Sequence, residues 1–220
     1  NGHVNIFYFQ LNIKYNINIF TSKQTKFNGG GFNVNSPLTF PGTRVPVSPV
    51  GLLTGIFSAT SGITLAQVCE ITGLEPGTIQ NWIKRGYVSP PTARKYSKGQ
   101  LARIILISIL RETLVIEKVV KLLSYVNGDL LDTSDDIMDD SDIYRCLCHI
   151  LIPEYGKDAV SMGNLFARID QQLSDFKEPY PGAKDRLKAA LQAMACAYES
   201  ARFKKCAIEL TDRIETESKE

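Results

Sequence analysis

From residue 62 onward the apolar positions of this 220-residue chain recur at helical spacing, and the runs break at glycine, proline or aspartate. Leu65, Val68 and Cys69 share one face after Thr64, a favourable N-cap, and predict a short helix that Gly73 ends. Glu75-Pro76 opens a second helix to about Arg85, with Ile79, Trp82 and Ile83 as its apolar positions and Gly86 as its stop. Ser89-Pro90-Pro91-Thr92-Ala93 then stiffens a loop that carries the basic Arg94 and Lys95 beyond its bend, the composition of a wing. Ser97 caps a third helix over 98–111, in which Leu101, Ile104, Ile105, Ile109 and Leu110 form a stripe to be buried. A fourth helix follows over 116–126. Others are expected over 143–151, 156–176 and 182–214, jointed at Pro153 and at Pro179-Tyr180-Pro181.

The remaining segments read differently. Residues 1–35 are rich in Asn, Ile, Phe, Tyr and Lys, contain no acidic residue and begin without Met. They read as an atypical, non-native extension, with a native edge hairpin through Gly29-Gly30-Gly31 as the alternative. Four prolines in 36–61 (Pro37, Pro41, Pro46 and Pro49) forbid a continuous helix and predict an extended lead-in. Asn127-Gly128 and seven aspartates make 127–142 a solvated acidic linker, without the alternating ligands, central Gly and closing Glu of a calcium loop. The organisation expected is therefore a winged helix-turn-helix at 62–126, the linker, a helical region at 143–214 and a tail at 215–220, a mainly α fold.

Composition is ordinary for a globular protein, 44% hydrophobic and 22% charged. No run approaches the ~20 apolar residues of a membrane span, and residues 1–20 lack the order of a secretory leader, so a soluble, cytoplasmic protein is expected. Five cysteines scattered through helical segments read as reduced thiols. Cys146-Leu147-Cys148-His149 has too few ligands at poor spacing for tetrahedral zinc, so neither metal nor cofactor is expected. Charge is informative only by segment. Residues 62–125 carry nine Lys or Arg against four Glu, whereas 126–160 carry nine acids against two bases, so any nucleic-acid surface belongs to the former.

A DNA-reading helix-turn-helix needs two short helices, a Gly-containing turn and polar side chains on the outer face of the second helix. Residues 63–85 have that layout. Thr78, Gln80, Asn81 and Lys84 lie off the apolar positions of the second helix: Asn and Gln suit adenine, and Thr suits a thymine methyl. Lys84 and Arg85 suit phosphate or guanine, and Arg94, Lys95 and Lys98 sit where a wing could straddle phosphates. Tyr96 serves equally as a core lid or a phosphate donor, with the core favoured. The same polar face could instead simply solvate a surface helix.

The run from ITLAQVCEITGLEPGTIQNWIKRGYVSPP to RKYSKGQLARIILISIL resembles the MerR-type winged domain element by element: start helix, Gly73-Leu74-Glu75-Pro76 turn, Gly86 stop, wing end and following helix pair. More closely, QNWIKRGYVSPP, RKYSKGQLARIILI and LLSYVNGDLLD resemble the bacterial "domain of unknown function 1836" family over roughly residues 40–152. The resemblance implies a MerR-like winged helix and, through it, transcription regulation by DNA binding. Two positions depart from the MerR pattern. Gln80-Asn81-Trp82 stands where MerR recognition helices carry Arg-Tyr-Tyr, and the acidic stretch replaces the long dimerising helix.

Three classes of function compete: a DNA-binding regulator, a protein-interaction module that keeps the winged fold without DNA, and an enzyme. His3 and His149 are the only histidines, and neither a Gly-rich phosphate loop nor a nucleophile–base pair is suggested by spacing, which argues against an enzyme. The basic module favours double-stranded DNA as partner; the acidic neighbour and the missing arginine favour a protein. Leu187, Leu191, Met194, Tyr198 and Ala201 recur in heptad rhythm and form a candidate homodimer seam on the C-terminal helix, or pack onto 156–176 within one chain.

Overall fold

The computed structural model describes residues 41–44, 53, 57, 60–130, 132, 134–152 and 162–218. The extension at 1–35, most of the lead-in and the start of the helix expected over 156–176 lie outside the described residues. Within them the protein is mainly helical, with seven helices: α1 (Leu65–Thr72), α2 (Pro76–Lys84), α3 (Lys98–Leu110), α4 (Ile116–Asn127), α5 (Asp140–Leu151), α6 (Met162–Gln172) and α7 (Ala183–Glu217). The only β pairing among them is two isolated antiparallel bridges, Ile63 with Tyr96 and Thr92 with Lys95. No helix of the described residues is long and apolar enough to cross a membrane.

Local signals set the first helix boundaries. Thr64 caps α1 by accepting from the Gln67 amide, and Gln67 reaches back to the Thr64 amide, a reciprocal capping box. Gly73 closes α1 at φ +71, left-handed backbone that a side chain disfavours, and its amide bonds the Cys69 carbonyl at 2.7 Å. Pro76 starts α2, where its missing N–H costs nothing. Ser97 and Gln100 repeat the capping box at α3.

The third helix is where the expected stripe falls short. Besides Leu101, Ile104, Ile105, Ile109 and Leu110, the residues Ala102, Arg103, Leu106 and Ile107 are buried. A helix buried on every side is a central one, and α3 is wrapped by α4, α5 and α7, with its most extensive packing against α5. The C-terminal helices are thus part of the core. In the lead-in, Pro41–Arg44 forms a turn docked by Tyr144 OH donating to the Pro41 carbonyl (3.0 Å) and by the Arg44 amide donating to Ile71 (2.7 Å). Leu53 and Phe57 are helical, so the lead-in is not extended throughout; downstream of Pro49 no proline prevents a helix.

The acidic stretch does not act as a solvated linker throughout: exposed at Asp129, Asp132 and Asp135, it joins the packed body from Ile137 onward. Ile137 is buried, its amide bonding the Val126 carbonyl, and Asp139 caps α5, which begins at Asp140 instead of residue 143. Asp140 accepts from the buried Arg103 at 3.1 Å and from Asn127 Nδ2 at 3.2 Å, while Arg103 Nε donates to the Tyr87 carbonyl at 2.7 Å. Periodicity could not show this, because the pair joins positions 37 residues apart.

Of the two readings of the heptad rhythm on the C-terminal helix, packing within one chain is the one these contacts fill. Leu187, Leu191 and Met194 are fully buried within the chain and Tyr198 and Ala201 half-buried, because α4, α5, α6 and α3 occupy that face of α7. Helix α7 runs to Glu217, so the first residues of the expected tail are helical.

Removing Arg103 leaves a buried carboxylate without its partner. Arg103→Ala should cost about 3–5 kcal/mol, and Arg103→Met combined with Asp140→Leu should cost less than Arg103→Ala alone. Urea unfolding followed by the fluorescence of the single tryptophan checks both. A second expectation concerns pH. Burial first, then the carboxylates of Asp140, Asp135 and Asp139, push the Asp136 carboxyl from its ordinary 3.8 up to about 6, with Arg103 opposing. The folded value lies above the unfolded one, so ionised Asp136 works against the fold at neutral pH and this is relieved as pH falls from about 6 to about 4. The melting temperature should rise between pH 7 and pH 5, and Asp136→Asn should flatten that rise.

Candidate nucleic-acid interface

Helix α2 separates its residues cleanly. Ile79 and Trp82 point into the core, where Trp82 is 3% exposed and the Arg111 guanidinium lies over its ring at 5.5 Å. At about 100° per residue the opposite face centres on Gly77, Asn81 and Lys84, all exposed. Gln80 and Arg85, also exposed, and the half-buried Thr78 flank it. Of the expected residues, Gln80, Asn81 and Lys84 share the outward side of the helix, Thr78 stands half-buried one turn before Trp82, and Arg85 follows the helix as its C-cap. Arg85 is tethered at its end, stacked over Tyr87 at 5.8 Å and bonded to the Tyr87 hydroxyl at 3.3 Å.

Gly77 was not anticipated. Glycine in a helix pays entropy, yet a Cβ at Gly77, in the first turn of α2, would meet nothing within 4 Å, so the fold does not require it. Its effect is a gap at the N-terminal end of the outward face, one turn before Asn81.

The segment expected as a wing is a tight hairpin turn without strands. The Lys95 amide bonds the Thr92 carbonyl at 2.9 Å, and the two residues between, Ala93 and Arg94, both have positive φ, +50 and +62. A two-residue hairpin turn of this hand favours Asn-Gly; holding two L-residues with side chains there costs on the order of 1–2 kcal/mol each. The turn persists because its base is over-determined. Ile63 and Tyr96 exchange both backbone bonds (3.0 and 2.7 Å), and Gly62, at φ +144, lets the chains approach where a Cβ would sit 2.9 Å from the Tyr96 carbonyl oxygen. Tyr96 is 3% exposed and packed in the core, which settles its position. On the other side Gln100 Nε2 holds the carbonyls of Ser89 and Pro90 at 3.0 and 2.9 Å.

Arg94 and Lys95 are exposed on this turn and Lys98 half-buried in the first turn of α3. Beside them is a polar groove of about 440 Å³ lined by Ser61, Ser89, Thr92, Ala93, Lys95, Ser97 and Gln100, with Lys95 Nζ held by Ser61 Oγ at 3.3 Å. One of the nine bases in the segment is removed from any surface role: Arg103 is 4% exposed and neutralised by Asp140. The capping box was legible in the Ser97-x-x-Gln100 spacing, but the hold of Gln100 on Ser89 and Pro90 was not. Nor were the strained turn and the loss of Arg103.

Other candidate chemistry does not assemble. Cys148 is buried, its thiol pushed up to about 12 by burial, while His149 beside it is exposed. Among the described residues no group of three or more His, Cys, Asp or Glu is placed to hold a metal ion.

Fold and surface together define a mainly helical protein in which a polar-faced helix pair and a strained basic turn are fixed on one core. Residues 62–146 match the family model described as "Domain of unknown function (DUF1836)", which supports that family for this segment. The match crosses the acidic stretch and so takes in both Arg103 and Asp140. The chain is also similar to "Uncharacterized protein YkrK" of Bacillus subtilis (strain 168), 27% identical over 129 residues, which cover 56% of this chain and 55% of that protein. The chain thus spans about half the length of the curated relative it matches. No solved structure matches it.

Because open space surrounds a Cβ at residue 77, Gly77→Ala should raise stability by about 0.5–1 kcal/mol. A higher urea midpoint with unchanged slope is the expected reading.

Proposed function

We propose that this protein is a non-enzymatic DNA-binding regulator that uses residues 62–126 as a MerR-like winged helix-turn-helix. The observation that carries the reading is the turn at Ala93 and Arg94. Backbone strain held in place by surrounding packing is characteristic of functional positions. Here the relaxed alternative, Asn-Gly, would remove the guanidinium from the tip. The exposed face of α2 supplies the complementary half.

In this reading Asn81, Gln80 and Thr78 read base edges from the major groove, the open space at Gly77 admits the duplex closely, and Lys84, Arg85, Arg94, Lys95 and Lys98 hold phosphates. Arg103 takes no part. With the MerR-type arginine missing from α2, the phosphate grip falls to Lys84 and Arg85 at the end of that helix together with the turn and Lys98.

Mobility shifts on fragments selected from random duplex DNA, repeated over a salt series, test this. Affinity should fall steeply with salt. Asn81→Ala should relax base preference, whereas Arg94→Ala or Lys95→Ala should weaken all sequences alike and reduce the salt slope by about 1 each. Replacing Ala93-Arg94 by Asn-Gly should stabilise the fold and weaken binding. If no selected fragment is retarded at low salt, the DNA reading fails and the protein-interaction module takes its place.

A further inference from the structure

Beyond Ala201 helix α7 leaves the body of the protein. Every residue from Arg202 to Ser218 is exposed except the half-buried Cys206. The overhang from residue 202 to the end of the helix is roughly 24 Å long. Apart from Ile208, its apolar residues do not continue the buried face: the rhythm of Leu187, Leu191, Met194, Tyr198 and Ala201 leads on to Lys205, Ile208, Asp212 and Glu215. A second stripe starts instead at Phe203 and continues through Ala207, Leu210 and Ile214, at steps of four, three and four. At about 100° per residue it lies on the opposite side of the helix. Phe203 is 59% exposed and Ile214 64%. A helix of this length gains little from propensity alone and draws its stability from covering an apolar face.

The charges of the overhang are polar along its axis. Arg202, Lys204 and Lys205 stand at the end nearest the body, and Glu209, Asp212, Glu215 and Glu217, with only Arg213 against them, at the far end. Two such helices side by side repel when parallel and attract when antiparallel.

We propose that the occupant of this stripe is a second copy of the chain, the two overhangs pairing antiparallel about a twofold axis between Ile208 and Glu209. In that register Phe203 meets Ile214 of the second copy, and at the centre Ala207 meets Leu210, small against large on both sides of the axis. Lys204 and Glu215 fall on the same flank and pair between copies, as do Arg202 and Glu217 on the other. Arg202 already holds Glu199 of its own chain at 3.0 Å, which fixes the guanidinium beside the proximal end of the stripe. The pairing leaves the buried seam of α7 untouched and does not depend on whether the protein binds DNA.

Sedimentation equilibrium of the full chain tests this. The intact protein should be dimeric at micromolar concentration. Leu210→Asp should weaken the dimer at least about tenfold while its circular-dichroism spectrum before melting stays that of the intact protein, because Leu210 lies outside the core. Lys204→Glu and Glu215→Lys should each weaken association, and the double variant should restore it, since both interchain pairs then reverse sign together. A monomer up to about 100 µM would overturn the proposal, as would a dimer indifferent to Leu210→Asp. Failure of the double variant to recover would overturn the antiparallel register.

Discussion

Arg103 holds four parts of this structure in one place. Its Nε takes the Tyr87 carbonyl where the chain leaves α2, its Nη1 takes Asp140 at the start of α5, and Asp140 in turn takes Asn127 at the end of α4. Arg103 itself belongs to the middle of α3. A guanidinium withdrawn from water is tolerated only if its donors are met and its charge is balanced. Burial pushes the Asp140 carboxyl above its ordinary range, and the guanidinium is what draws it back. The position of α5 against α3 and the exit angle of the chain after α2 are therefore set by the same group.

That constraint bears directly on the candidate surface. Tyr87 lies between α2 and the hairpin turn, so fixing its carbonyl to α3 fixes the outward face of α2 relative to the element that carries Arg94 and Lys95. Gln100, one turn before Arg103 on the same helix, holds the Ser89 and Pro90 carbonyls further along that connection. A strained two-residue turn survives only on such a base. The central helix thus serves both core and surface, with apolar side chains on most of its circumference and two polar ones spent on positioning the loop.

Electrostatics divide the molecule differently from the linear charge pattern. The acidic stretch does not act only as a solvated counterweight to the basic module: Asp139 caps α5, Asp140 neutralises Arg103, and Asp136 is driven toward protonation by burial and then by its acidic neighbours. Within residues 62–126 the cations that remain exposed are Lys84 and Arg85 at the end of α2, Arg94 and Lys95 on the turn, Arg111 after α3, and Lys118 and Lys121 on α4. The family match ending at residue 146 agrees with this division, since the acidic joint belongs to the same packed unit as the helices before it.

The sequence by itself determined the local features. Thr64, Gly73 and Ser97 fix helix ends through bonds to residues within four positions, Pro76 starts α2 through its fixed φ, and the alternation on α2 sends Ile79 and Trp82 inward and Asn81 and Lys84 outward. Such signals are short-range and survive in one dimension. The tertiary structure alone decided which partners meet. Nothing in periodicity separates Arg103 from the other bases of its segment, the acidic joint from a linker, or a seam filled by α4, α5 and α6 from one left for a second chain. These depend on contacts between positions tens of residues apart, and on backbone held in left-handed conformation by packing rather than by the residues at Ala93 and Arg94 themselves.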